Sequence, residues 1–199
     1  MTDDAVTDGR VRRRIENRDQ VIRAYVALIE EGDHDPGVEA VAARSEVSLR
    51  SIFRHFGDLD GLAGAALGDA MVRTIPVAKI PRIGEGPLDQ RIENLVDARL
   101  RVFQIAARFG RVARDRYNEV PGVVDVINQV QKLLRDQAKR QFAPELAERS
   151  PADAELVLDV ISLLTGFNAF DAALNFNGLD LDRIRELWIR GLTAQLTPG

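Results

Sequence analysis

The sequence contains no cysteine and only two histidines, His34 and His55, and these shortages exclude several kinds of site. Without cysteine there is no disulfide bond, thiolate metal ligand or cysteine nucleophile. We find no cluster with metal-ligand spacing, no phosphate-binding glycine loop and no nucleophile motif. The sequence therefore predicts no metal, no cofactor and no enzymatic activity.

Long apolar runs are also missing from the sequence. The segment MTDDAVTDGRVRRR has no apolar centre of the kind found in signal peptides. No run approaches the ~20 apolar residues that span a bilayer. We therefore expect a cytoplasmic protein without membrane contact. With 199 residues, of which 45% are hydrophobic, the chain is long enough to bury a sizeable core.

The positive charge is concentrated near the N-terminus, although the net charge is −4. Between residues 10 and 18, five arginines stand against a single glutamate. The chain from Pro144 onward is mostly acidic. This distribution favours contact between the N-terminal part and a polyanion such as DNA. Residues 10–14 are expected to form either a DNA-contacting arm or a solubilising tail, after a disordered segment 1–9.

The stretch from Val38 to Leu62 predicts two short helices joined by a tight turn. Apolar residues recur at helical spacing before Glu46 and again after Ser48. Ser48 is a good N-cap, because its hydroxyl can accept an unpaired backbone N–H. The second helix has an apolar side of Ile52, Phe53 and Phe56 and a polar front of Arg50, Ser51, Arg54 and His55.

A short helix with this front is suited to insertion into the DNA major groove. Arginine bonds guanine edges in bidentate fashion, while serine and histidine reach phosphates or bases. The alternative is a helical hairpin with a solvated face, since charged faces are common on surface helices.

The run VSLRSIFRHFGDLDGL resembles the DNA-binding domain of the TetR family of transcriptional repressors, and the resemblance is specific over about residues 15–62. Val47-Ser48 match the family's turn, Phe53-Arg54-His55-Phe56 match its aromatic-x-His-Phe core, and Leu62 matches the leucine of the next helix. Three positions depart from the family pattern. Glu46 replaces the usual turn glycine, Phe53 replaces a tyrosine, and Leu59 replaces a lysine. The last two changes remove two expected phosphate contacts.

The resemblance implies an all-α fold with two parts. Residues 10–57 would form a three-helix helix-turn-helix DNA-binding domain, and residues 58–199 a larger helical effector-binding and dimerisation domain. The implied function is a ligand-responsive regulator, a repressor released from a palindromic double-stranded operator by a small molecule. The DNA-binding candidates are Arg12, Arg13, Arg14, Arg44, Ser48, Leu49, Arg50, Ser51, Phe53, Arg54 and His55.

Helical periodicity predicts helices at 15–31, 88–110, 121–142, 152–176 and 181–196, with a connector at 144–151. The last two helices resemble the family's dimerisation pair. We expect their edge from Ile184 to Leu192 to meet a second copy of the chain. Ordinary core packing of this edge is the alternative.

The effector site is expected in the helical body, lined by apolar residues and a few polar groups. The ligand-binding candidates are Arg99, Phe103, Phe109, Tyr117, Phe167, Asn168, Phe170 and Asp171. Arg99 lies at the edge of an apolar stripe, so it is either a snorkelling arginine or an anion-binding group. Asn168, Asp171 and Asn175 form a polar stripe that lines a pocket, meets a partner chain or faces water.

Two other functions stay open at this point. One is an all-α small-molecule-binding protein or enzyme of this fold. The other is a regulator of this family with weakened DNA binding, as the departures at Phe53 and Leu59 suggest.

Overall fold

The computed structural model describes residues 3–117 and 119–197, with side chains from Val11 onward, and every regular element in these ranges is helical. This confirms the predicted all-α class. The helices are α1 (Asp3–Glu31), α2 (Val38–Ser45), α3 (Leu49–Phe56), α4 (Leu59–Thr74), α5 (Leu88–Asp115), α6 (Pro121–Gln141), α7 (Ala143–Ala147), α8 (Pro151–Leu164), α9 (Phe167–Asp171) and α10 (Leu181–Leu196). A π-helical turn, Ala172–Phe176, directly continues α9.

The chain forms two compact units. The first unit joins Met1–Val72 to Arg111–Ile127, and the second joins Arg73–Gly110 to Asn128–Gly199. Both units are therefore assembled from segments that are distant in sequence. The functional division of the chain near residue 57 stays a prediction.

The first unit is built around the inner faces of α1, α2, α3 and α4. Tyr25, Ile29, Val41, Ile52 and Leu62 are each at most 1% exposed. These residues recur at helical spacing on their elements, and their burial holds the short helices α2 and α3 against α1. The short helices alone would be marginal in water, so their geometry depends on this packing.

The second unit has an aliphatic core with an aromatic centre. The ring of Phe103 on α5 lies 5.8 Å from Phe167, 5.6 Å from Phe170 and 6.4 Å from Trp188, measured between centroids. Gly191 on α10 lets Leu164 approach closely, since an added Cβ would lie 2.5 Å from Leu164 Cδ2. The end of α8 and the middle of α10 therefore pack closely within the second unit.

Several predicted boundaries were wrong. α1 begins at Asp3, so the predicted disordered segment and arm are helical in backbone where the structure describes them. Gly110 does not end α5, because its missing Cβ makes room for the Phe167 ring, whose Cζ would lie 2.3 Å from a Cβ there. The predicted connector contains the short helix α7, with Pro144 near its start.

The predicted helix 152–176 is interrupted after Leu164. Thr165 ends α8, and Gly166 in an extended conformation precedes α9. Contrary to the expectation that no stretch is long and apolar enough to cross a membrane, Pro151–Phe176 is so by length and composition alone. In the fold it is divided between three helical pieces, and its Leu158, Ile161 and Phe170 are buried in the core of the second unit.

The predicted dimer edge on α10 is mostly buried within the chain itself. Ile184, Trp188 and Leu192 are at most 3% exposed and belong to the core of the second unit, while Leu187 is 41% exposed. Helical periodicity identifies the face that is buried, but it does not say whether the same chain or a second copy covers that face. Here the same chain covers it.

Candidate nucleic-acid interface

The turn between α2 and α3 is closed by local polar contacts. Ser45 Oγ accepts a hydrogen bond from the Val47 N–H at 3.3 Å. Glu46 adopts the left-handed conformation, with φ 56° and ψ 19°, and ends α2. This is the position at which the resemblance led us to expect glycine. The turn therefore keeps the geometry that favours glycine while carrying an exposed glutamate.

Ser48 caps α3 as predicted. Its Oγ accepts a hydrogen bond from the Ser51 N–H at 3.4 Å, and the two hydroxyls lie 3.2 Å apart. Ser51 Oγ in turn accepts from Arg54 Nη2 at 3.3 Å. A polar chain of three residues therefore runs along one side of α3. It restrains the Arg54 head while leaving that side chain exposed.

α3 presents a mixed outer surface and a buried back. Ile52 is 1% exposed and anchors the helix. Arg50 is exposed beside Leu49 and Phe53, which are 39% and 43% exposed. Phe53 therefore lies outside the core, although periodicity placed it with the apolar side. A surface of guanidinium, hydroxyl and apolar groups can read both guanine edges and thymine methyl groups.

A basic cleft lies beside α3 in the first unit. It has a volume of about 350 Å³ and is lined by Val11, Arg14, Ile15, Arg18 and His55. His55 Nε2 is buried without a hydrogen-bond partner among the described residues. Burial lowers the pKa of His55, and the nearby charges of Arg54, Arg14 and Arg18 lower it further. The cleft thus places two arginines, Arg14 and Arg18, beside an unused histidine nitrogen, an arrangement that suits a phosphate.

Arg18 is the site residue that sequence reasoning missed. Its guanidinium carbon lies 5.6 Å from the centroid of the Phe56 ring, which orients the head over an aromatic face. The available signal was the spacing of Arg14 and Arg18 by four residues, which puts both on one helix face. The predicted helix 15–31 left Arg14 outside it, whereas α1 includes both arginines.

Other predicted DNA-binding arginines differ in their availability. Arg44 makes two hydrogen bonds to Glu31, at 2.9 and 2.6 Å, so its head is held by α1. Arg12 lies 3.5 Å from Glu16 one helical turn away, and both side chains are largely exposed. Arg13 is exposed. The exposed pairs contribute little to stability, so a phosphate can compete for these arginines.

Arg116, which the sequence analysis did not single out, supports the first unit. Its side chain is only 13% exposed; it pairs with Asp35 in the loop after α1 and lies 3.8 Å from Asp60 on α4. One guanidinium therefore links the segment after α5 to the loop and to α4. The sequence does not show these ion pairs, because the three residues are far apart along the chain.

The predicted ligand-binding residues are only partly brought together. Phe103, Phe167 and Phe170 form the aromatic centre of the second unit. Tyr117 belongs to the first unit and is 38% exposed, while Phe109 is partly buried. The assignment of these residues to one ligand site stays a prediction.

The polar stripe has one buried member. Asp171 is 1% exposed and accepts a hydrogen bond from Asn175 Nδ2 at 2.7 Å, whereas Asn168 and Asn175 are exposed. The stripe is therefore a buried carboxylate with a polar surface on either side of it.

No protein-family model matches the chain, and no curated protein matches it either. Among solved structures, the fold is similar to the crystal structure of a transcriptional regulator from Rhodococcus sp. Rha1. The TM-score is 0.65 at 16% sequence identity, and the match covers 90% of this chain and 95% of that one. At this identity the likeness shows a shared fold.

Proposed function

We propose that the chain is a DNA-binding transcriptional regulator that inserts α3 into the major groove. The observation that carries this proposal is the outer surface of α3: Arg50 and Arg54 are exposed on a short, capped helix whose back is anchored by Ile52. The neighbouring basic cleft adds a place for the phosphate backbone. The shared fold with a protein described as a transcriptional regulator supports the same function.

In this proposal the predicted contacts divide into two kinds. Arg50 reads base edges, together with Ser51, Leu49 and Phe53. The phosphate contacts come from Arg12, Arg13, Arg14, Arg54, His55 and Ser48, while Arg44 contributes only if its pair with Glu31 opens. These proposed roles are those of a TetR-type regulator, with Glu46, Phe53 and Leu59 as local departures.

The homodimer is proposed through the outer surface of the last helices. Leu156 and Leu163, seven residues apart on one face of α8, are 62% and 78% exposed. Phe176 is 81% exposed and Leu187 on α10 is 41% exposed. Large apolar side chains left in water on adjacent elements are typical of a surface that a partner covers. A two-fold dimer would bind a palindromic operator with half-sites about 10 base pairs apart or a multiple of that.

Regulation is proposed to act through a small molecule bound in the second unit. Such an effector releases DNA only if its affinity differs between the DNA-bound and free arrangements of the dimer. A repressor of this kind binds its operator in the absence of the effector and dissociates from it when the effector binds.

The direct experiment is selection of sequences from a random duplex library with the purified full-length protein. A palindromic consensus is the expected result. Enrichment of no sequence, at salt low enough to favour backbone contacts, would contradict the proposal. It would favour an effector-binding protein of the same fold.

A further inference from the structure

Two arginines are buried on α5, eight residues apart, and they differ in their partners. Arg91 is 4% exposed and pairs with Glu145, whose side chain is 14% exposed. It also donates to the carbonyl oxygens of Gly86 at 3.0 Å and Gln141 at 2.8 Å. Arg91 is therefore a buried cation whose charge and hydrogen bonds are both matched by the protein.

Arg99 is equally buried, at 3% exposure, but its charge is not matched. Its Nη2 donates to the Leu134 carbonyl oxygen on α6 at 2.6 Å, and its Nε has no hydrogen-bond partner in the described part of the chain. Among the residues that the structure describes, no aspartate or glutamate carboxylate lies within ion-pair distance of Arg99. Burial lowers the pKa of Arg99 to about 9, so the guanidinium remains charged at neutral pH. A buried charge without a partner is costly, and such groups are rare unless they have a function.

An unused polar atom lies one turn from Leu134 on α6, and an aromatic core residue lies one turn from Arg99 on α5. Gln137 on α6, one turn from Leu134, donates from Nε2 to the Ala78 carbonyl oxygen at 2.6 Å. Its Oε1 is buried without a partner. On α5, Phe103 lies one turn after Arg99 on the same face and begins the aromatic centre described above.

We infer that Arg99 recognises the carboxylate of an apolar, aromatic or long-chain acid, which is the effector of this regulator. The inference rests on the proposed function and names the chemical class of its ligand. A carboxylate supplies the missing negative charge and accepts parallel N–H bonds from one guanidinium. Its apolar part then packs on the Phe103 cluster. A phosphate is a poorer match, because its second charge would find no second cation among the groups described here.

The test is thermal unfolding of the full-length protein with 4-phenylbutyrate and, as the uncharged match, 4-phenylbutyramide. Wild-type protein should be stabilised by the acid and far less by the amide, because a ligand that binds the native state raises Tm. Arg99→Met should abolish the response to the acid. It should also raise the Tm of the ligand-free protein by about 2–4 °C, because it removes a buried unpaired charge. Arg99→Lys keeps a charge without the planar fork and should respond weakly.

Arg101→Met is the matched control, since Arg101 is an exposed arginine of the same helix and should change neither measurement. A lowered Tm in Arg99→Met with an unchanged response to the acid would make Arg99 a structural residue and overturn the inference. Equal stabilisation of the wild type by acid and amide, or by neither, would also overturn it. These measurements need no DNA. An acid that stabilises the protein through Arg99 without releasing operator DNA would support the site while contradicting the proposed regulation.

Discussion

Replacing Glu46 with glycine should stabilise the protein, because this residue is held in a conformation that glycine adopts without strain. At φ 56° and ψ 19° the residue is left-handed, which costs a side-chain-bearing residue about 1–2 kcal/mol. Glu46 is exposed, and no hydrogen bond or ion pair of its side chain is found among the described residues. Removing the side chain therefore sacrifices no identified contact.

The gain is reduced by the greater freedom of glycine in the unfolded chain, which costs about 0.4–1 kcal/mol. The net expectation for Glu46→Gly is a stabilisation of about 0.5–1 kcal/mol, or ~1–4 °C in Tm for a chain of this size. Urea unfolding followed by circular dichroism measures the free energy directly. Gly57→Ala is the opposite control, since Gly57 has φ 83° and the substitution should destabilise. A Glu46→Gly protein that is less stable than the wild type would refute the strain argument.

Three further predictions test the core, the cleft and the dimer surface. Glu145→Gln should cost about 3–5 kcal/mol in the free energy of unfolding, because it leaves Arg91 buried without its anion. Burial raises the pKa of Glu145, but its hydrogen bond with Arg91 outweighs this effect and the pKa is lowered. The difference in stability between the wild type and Glu145→Gln should therefore shrink as the pH falls below about 4.5. DNA affinity should rise as the pH is lowered from 7.5 to 6, because His55 has a lowered pKa in the free protein and a bound phosphate favours its protonated form. His55→Gln should make the affinity less dependent on pH. Leu163→Glu should convert a dimer to a monomer in light scattering, whereas Leu133→Glu on α6 should not.

The free protein supplies an independent check on His55. A lowered folded pKa means that its contribution to stability is present above about pH 6.5 and is lost as the pH falls through the folded value. His55→Gln should therefore reduce the acid sensitivity of unfolding near pH 6. An identical pH profile in both proteins would contradict the role of the cleft. A Glu145→Gln protein as stable as the wild type would contradict the buried pair, and a dimeric Leu163→Glu protein would place the interface elsewhere.

Local patterns predicted much of the fold. Apolar spacing gave α2, α3, α6 and α10 within about a residue or two at most ends, and Ser48 proved to cap α3 as its side chain suggested. These features depend on neighbours along the chain, so the sequence carries them directly.

The features that the sequence did not predict depend on contacts between residues that are distant along the chain. Gly110 had the composition of a helix terminator, but it serves to admit the Phe167 ring, which no local pattern shows. Arg116 pairs with Asp35, which lies 81 positions away in the sequence, so no local pattern shows this contact. Arg99 is only 3% exposed, so it is not a snorkelling arginine with its head in water, and its role in binding an anion stays a proposal. Tertiary context therefore decided the role of each buried polar group.

The most direct test of the central claim is the affinity of wild-type and Arg50→Ala protein for the selected duplex and for a scrambled duplex, across a series of salt concentrations. Arg190→Ala is the control, because Arg190 is an exposed arginine on α10 and is not among the predicted DNA-binding residues. Arg50→Ala should lose about 1–3 kcal/mol on the selected duplex and little on the scrambled one, so that its sequence preference relaxes. Both duplexes should bind more weakly as the salt concentration rises. A plot of the logarithm of the binding constant against the logarithm of the salt concentration should have a slope of roughly −0.9 for each neutralised phosphate. If Arg50→Ala keeps wild-type affinity and preference, α3 does not read the DNA and the account is wrong.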